Sequence, residues 1–195
     1  MNLSELNSLT DLFFYQAKKQ NSESVFLEWL NPKNKKKFTW GETSSNIYKL
    51  AKTLKTNITD GDRCLLVSEN RPEWLISDIA IMLANGITVP AYTTYTEKDY
   101  KYLIEDCQPS VIIVSNDEMH DKLKNIINEK SFIRKVITFE KIQEVDYKNK
   151  YLDFNSITKG NLQESDKIKN PSLKRNSSAC VIYTSGTGGN PKGVI

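Results

Sequence analysis

The sequence predicts an α/β fold in which a parallel-rich sheet is flanked by helices. Three observations predict it. Cys64-Leu65-Leu66-Val67 and Val111-Ile112-Ile113-Val114 are apolar runs without alternation, as expected of strands buried on both faces. Helix-start signals at Pro72 and at Thr96 with Asp99 stand between such runs. The resulting order of strand, helix, strand, helix, strand implies parallel neighbours joined by helical crossovers.

Each element follows from its own residues. Residues 8–19 read as a helix, with Ser8 as N-cap, Asp11 three residues on, and Leu9, Leu12, Phe13 and Ala17 on one face. Residues 24–30 alternate Val25, Leu27 and Trp29 against Ser24, Phe26 and Glu28, a strand pattern. Asn31-Pro32-Lys33-Asn34 is a turn, and 37–40 is the return strand. Thr39 with Glu42 is a capping box opening a helix that carries Ile47, Leu50, Ala51 and Leu54. Asp60-Gly61-Asp62 turns into a strand over 63–68. A helix runs from Pro72 to Asn85, and Gly86 is suited to stop it. Val89 starts a short strand, 96–107 reads as helix, and 111–114 as strand. An amphipathic helix follows over 117–129 with Leu123, Ile126 and Ile127 inward, then a strand over 136–139. From 140 to 176 charges, Asn and Ser dominate. This predicts a surface excursion with one short helix near the apolar patch of Tyr151, Leu152, Phe154 and Ile157. Its basic run over 167–175 reads as a solvated loop. A strand returns over 179–183.

Composition narrows the function classes. Lys and Arg number 27 against 24 Asp and Glu, so the net charge is only +3. A binder driven by phosphate neutralisation on nucleic acid would carry a clear basic surplus, so nucleic acid is not an expected partner. Mean hydropathy is −0.51, yet aromatic residues reach 10%, which argues for a folded domain with long wet loops rather than a disordered chain. Cys64, Cys107 and Cys180 are scattered and odd in number, which fits a reducing compartment. One histidine, His120, excludes a His-rich zinc site, and its polar surroundings place it at the surface. Trp29, Trp40 and Trp74 read as packing residues. Residues 1–9 lack the basic start and apolar run of a signal peptide, and the apolar stretch over 75–91 is too broken to span a bilayer. The expected location is cytoplasmic, with peripheral contact to a membrane surface left open.

One segment carries chemistry. Thr184-Ser185-Gly186-Thr187-Gly188-Gly189-Asn190-Pro191-Lys192-Gly193 follows the last strand. A phosphate chain needs unshielded backbone N–H donors, hydroxyl donors and a cation. Glycine lets successive N–H groups approach one anion. Four glycines, three hydroxyls and a lysine within ten residues supply all three. The spacing is neither of the familiar phosphate loops. A P-loop read from Gly186 meets Pro191 at its second glycine, and a dinucleotide fingerprint read from Gly186 meets Pro191 at its third.

Residues 183–193, Y-T-S-G-T-G-G-N-P-K-G, closely resemble the Y-T-S-G-T-T-G-x-P-K-G signature of the adenylate-forming superfamily. Gly188 stands where threonine is usual. Upstream, Thr39-Trp40-Gly41-Glu42, Gly61-Asp62-Arg63-Cys64, Glu69-Asn70-Arg71-Pro72-Glu73-Trp74 and Val89-Pro90-Ala91-Tyr92-Thr93-Thr94 resemble family stretches in family order. The last two are similar to the long-chain fatty acyl-CoA synthetase branch.

The resemblance implies an enzyme that activates a carboxylate with ATP and Mg²⁺, releasing pyrophosphate, and passes the acyl group to coenzyme A. It implies a catalytic, charge-stabilising role for Lys192. It implies phosphate contacts from Thr184, Ser185, Gly186, Thr187, Gly188, Gly189 and Lys192, with no metal ligand among them. It also implies that residues 1–195 are the incomplete amino-terminal portion of an adenylation domain, ending just after the phosphate loop at 184–193. Its partners would be ATP, a fatty acid, coenzyme A and the remaining carboxyl-terminal part. The 195 residues alone are then expected to lack full turnover and to expose an apolar strand edge. A carrier-protein acceptor, and a module that binds nucleotide without catalysis, remain open alternatives.

Overall fold

The computed structural model describes residues 6–31, 35–143, 145–147, 149–169, 173–184 and 191–195. Helix α1 (Leu9–Lys19) is capped by Ser8, whose hydroxyl accepts the Asp11 N–H. Strands β1 (Val25–Trp29) and β2 (Lys36–Thr39) form an antiparallel hairpin. The tip residues 32–34 lie outside the described residues. The predicted alternation on β1 is corrected by a register shift between Val25 and Leu27. The irregularity lets Phe26 and Leu27 both pack on the core while Val25 stays 49% exposed. Helix α2 (Trp40–Lys55) opens with the expected capping box: the Thr39 hydroxyl accepts the Glu42 N–H, and the Glu42 carboxylate accepts the Thr39 N–H.

The central sheet is built from β3 (Arg63–Val67), β4 (Ile87–Ala91), β5 (Val111–Val114), β6 (Lys135–Thr138) and β7 (Tyr151–Asp153). Its spatial order is β4-β3-β5-β6-β7, and every neighbouring pair is parallel. The apolar runs are buried on both sides, as the sequence predicts. Cys64, Leu66, Val111 and Ile113 meet α1, α2 and α3 (Pro72–Leu83) on one face. Leu65, Val67, Ile112 and Val114 meet α4 (Glu97–Cys107), α5 (Asp117–Asp121) and α6 (Lys124–Glu129) on the other.

Helix α3 ends at Leu83, and its left-handed residue is Asn85 (φ 68°) rather than Gly86. The Asn85 N–H bonds Met82 O, and the Gly86 N–H bonds Ile81 O, a paired C-terminal closure. Gly86 is favoured for a different reason: a Cβ there would lie 2.9 Å from Ile58 Cδ1 and 3.0 Å from Ile81 Cγ2, so those side chains would have to shift. The single helix predicted over 117–129 is two helices. The Leu123 N–H reaches back to His120 O at 2.8 Å, a tighter turn that separates α5 from α6 while keeping Leu123, Ile126 and Ile127 buried.

The 140–176 region holds more order than its composition suggests. It supplies the fifth strand, β7, and the short helix α7 (Phe154–Thr158). Tyr151 of β7 also corrects the placement of His120. That ring is 6% exposed, its Nε2 lies 2.9 Å from the Tyr151 hydroxyl, and burial lowers its pKa below the ordinary imidazole value. All three cysteines are free. Burial pushes the Cys64 and Cys107 thiols up to about 12, and Cys180 is half-buried. Among the described residues no helix is long and apolar enough to cross a membrane.

Candidate functional site

The segment over 179–183 is only in part the strand the sequence predicts. Its first half adds to the sheet edge: the Thr88 N–H bonds Ala179 O at 3.1 Å, and the Val181 N–H bonds Thr88 O at 2.9 Å. Its second half, β8 (Ile182–Thr184), leaves the sheet and pairs with β9 (Lys192–Val194) as an antiparallel ribbon. The register sets Ile182 against Val194, Tyr183 against Gly193 and Thr184 against Lys192.

Opposed residues of an antiparallel pair share a face, and successive residues alternate. Tyr183 and Gly193 therefore face one way, and Thr184 and Lys192 the other. The Tyr183 side is the packed one. Its ring is 5% exposed, and its hydroxyl donates to the Asp106 carboxylate on α4. Burial, and then the bond to Asp106, push its phenol upward. Gly193 is what lets the ring lie there: a Cβ would stand 2.8 Å from Val181 Cγ1 and 3.3 Å from Tyr183 Cζ. Gly193→Val is expected to lower stability by about 1–3 kcal/mol through overpacking, read as a drop in melting temperature.

With one face of the ribbon committed to α4, Thr184 and Lys192 are exposed. They sit side by side where the two strands run into residues 185–190. A hydroxyl donor and an ammonium on one face offer an anion a hydrogen bond and a charge. Of the predicted phosphate contacts, the structure thus brings Thr184 and Lys192 together. Ser185, Gly186, Thr187, Gly188 and Gly189 lie outside the described residues. Among the described residues no group of three or more His, Cys, Asp or Glu side chains is arranged to hold a metal. On the same face as Thr184 and Lys192, Ile182 and Val194 are 47% and 54% exposed, and Ile195 at the end of the ribbon is 82% exposed.

Two residues at this site were not singled out by sequence reasoning. Tyr102 of α4 donates its hydroxyl to Pro191 O at 2.9 Å, and Asp106, one turn further along, accepts from Tyr183. The only local signal is their i, i+4 spacing on one helix face.

Comparison with solved structures shows the fold. The chain superposes on the anthranilate CoA ligase AuaEII, solved in complex with anthranoyl-AMP, with a TM-score of 0.81 at 22% identity. The match covers 100% of this chain and 36% of that one. It superposes on the acetoacetyl-CoA synthetase from Streptomyces lividans with a TM-score of 0.82 at 18% identity, covering 97% and 30%. The chain therefore shares its fold with these two solved enzymes. The family model described as AMP-binding enzyme matches residues 13–195, and the chain belongs to that family. A curated relative, the long-chain-fatty-acid–CoA ligase ACSBG1 of Bos taurus, is 26% identical over 169 residues, covering 83% of this chain and 23% of that protein. The chain spans about a quarter of the length of the curated relatives it matches.

Proposed function

We propose that this chain is the amino-terminal part of an ATP-dependent acyl-CoA synthetase whose substrate is a long-chain fatty acid. One observation carries the reading: Lys192 stands in register with Thr184 at the two ends of a glycine-rich segment, in a chain that the AMP-binding family matches almost throughout. The long-chain substrate is supported by relatives named as long-chain ligases.

In this reading the fatty acid carboxylate attacks the α-phosphorus of ATP. An acyl-adenylate forms as the bond to the bridging oxygen breaks, and pyrophosphate leaves. The thiolate of coenzyme A then attacks the acyl carbonyl, forming the thioester and releasing AMP. Negative charge moves onto the departing pyrophosphate. Lys192 neutralises it, the hydroxyls of Thr184, Ser185 and Thr187 donate to its oxygens, and the backbone N–H groups over 186–189 complete the cradle. Mg²⁺ bound with the triphosphate would supply further neutralisation of the phosphate charge. The free cysteines fit a cytoplasmic enzyme.

The test is pyrophosphate–ATP exchange by the full-length enzyme with a panel of carboxylic acids. Exchange should depend on added acid and favour long-chain fatty acids over short-chain and aromatic ones. A preference for aromatic or amino acids would overturn the substrate assignment. Binding of MgATP with no exchange for any acid would mark a non-catalytic nucleotide-binding module instead.

A further inference from the structure

We propose that helix α4 sets the position of Lys192, with Tyr102 and Asp106 acting as positioning residues that clamp the two strands of the β8–β9 ribbon. The proposal rests on the phosphate role of Lys192 given above.

A ribbon of three paired residues on each side is too short to hold its own geometry. It needs an external frame, and α4 supplies one to each strand. On the β9 side, Tyr102 bonds the carbonyl of Pro191, the residue directly before Lys192, which anchors the peptide leading into the lysine. On the β8 side, Asp106 accepts a hydrogen bond from the hydroxyl of Tyr183, whose cross-strand partner is Gly193, directly after Lys192. The lysine is thus bracketed in sequence by two anchored positions. Its own side chain stays on the opposite face, untouched by either clamp residue.

The frame is itself well anchored. Thr96 and Asp99 close the first turn of α4 with reciprocal hydrogen bonds. Tyr100, Leu103 and Ile104 bury its inner face at 0–2% exposure. At its far end, Arg63 of β3 donates through Nε to Cys107 O at 2.7 Å and through Nη2 to Gln108 O at 3.3 Å. These contacts tie the helix to β3, an interior strand of the sheet that is buried from Cys64 to Val67, so the position of Lys192 is referred to the core of the fold. Asp106 is exposed on the helix surface, so replacing it does not open the core.

The experiment is a double-mutant cycle in the full-length enzyme, read by pyrophosphate–ATP exchange with MgATP as the varied substrate. Tyr102→Phe and Asp106→Ala each delete one clamp bond and are expected to lower exchange roughly tenfold, the effect of about one hydrogen bond. Asp106→Asn keeps an acceptor and should restore most of the loss. Each loss should largely vanish when the variant is built on Lys192→Ala, because a positioning residue acts only through the group it positions. A merely structural role predicts the opposite, namely a loss that multiplies unchanged onto Lys192→Ala and tracks a fall in melting temperature. That result, or single variants with wild-type exchange, overturns the proposal while leaving the phosphate role of Lys192 intact. If Lys192→Ala itself exchanges normally, the functional reading has failed at its base.

Discussion

Replacing Glu73 with alanine is expected to cost about 3 kcal/mol of folding stability, the low end of the roughly 3–5 kcal/mol typical of breaking a buried ion pair. Glu73 lies in the first turn of α3 with its side chain 2% exposed, facing Arg71 at 1%. Its two carboxylate oxygens take Arg71 Nε at 3.0 Å and Nη2 at 3.3 Å, a bidentate pair, and Lys36 of β2 adds a third bond at 2.8 Å. Removing the carboxylate strands a guanidinium that cannot lose its proton. The cost sits at the low end because Arg71 keeps other partners. The half-exposed Glu140 lies 2.9 Å away, and the Trp29 and Phe139 rings lie 4.6 and 5.5 Å from the guanidinium carbon. Urea unfolding should therefore show the double replacement Arg71→Met with Glu73→Leu costing less than Glu73→Ala alone, since the charges it leaves unpaired, Lys36 and Glu140, are 28% and 50% exposed and reach water. An equal or greater loss in the double variant would count against the ion pair as the cause.

The same pair carries a pH signature. Burial by itself would raise the Glu73 carboxyl, but the hydrogen bonds from Arg71 and Lys36 outweigh it and hold the group below the ordinary glutamate value. A carboxyl depressed in the folded state contributes fully above its unfolded pKa of about 4.3 and loses that contribution as pH falls toward the folded value. Glu73→Gln should accordingly lower stability at neutral pH and flatten the acid limb of the stability curve below about pH 4.

The sequence made the parallel core legible because its signals are local. Runs such as Cys64-Leu65-Leu66-Val67 bury both faces by their own composition, and the Thr39–Glu42 and Thr96–Asp99 caps close within four residues. What stayed hidden depends on contacts far apart in sequence. Tyr151-Leu152-Asp153 is too short to announce a strand and becomes one only against the open edge of β6. Without that strand His120 is a histidine among Asp117, Glu118 and Asp121; with it, the ring is covered and bonded to Tyr151. Lys49 interrupts the apolar face of α2, yet it is buried. Its ammonium bonds the carbonyls of Thr158 at 3.0 Å, Lys159 at 3.3 Å and Gly160, across more than a hundred residues. The candidate site divides the same way. Its glycines, hydroxyls and lysine stand together in one segment. Tyr102 and Asp106 lie some eighty residues upstream and acquire meaning only where the ribbon crosses α4.

Lys192→Ala in the full-length enzyme is expected to reduce pyrophosphate–ATP exchange by roughly 10²–10³, the usual loss when one stabilising contact to developing charge is removed. The fall should appear in the turnover of the adenylation step as well as in kcat/KM for ATP, because charge on the pyrophosphate grows as its bond to the α-phosphorus breaks. A loss confined to KM would mean that the lysine only holds the ground-state nucleotide. Stability should be unaffected, since the side chain is exposed and sits on the ribbon face turned away from α4. Lys192→Arg separates charge from shape. It keeps the cation but replaces a compact ammonium with a planar fork, so partial recovery of exchange is expected. Recovery to the full rate would show that charge alone suffices. No recovery would show that the cation must sit where the short register between Thr184 and Lys192 places it. Normal exchange by Lys192→Ala would remove the lysine from catalysis, and with it the reading of this ribbon as a grip on the departing phosphates.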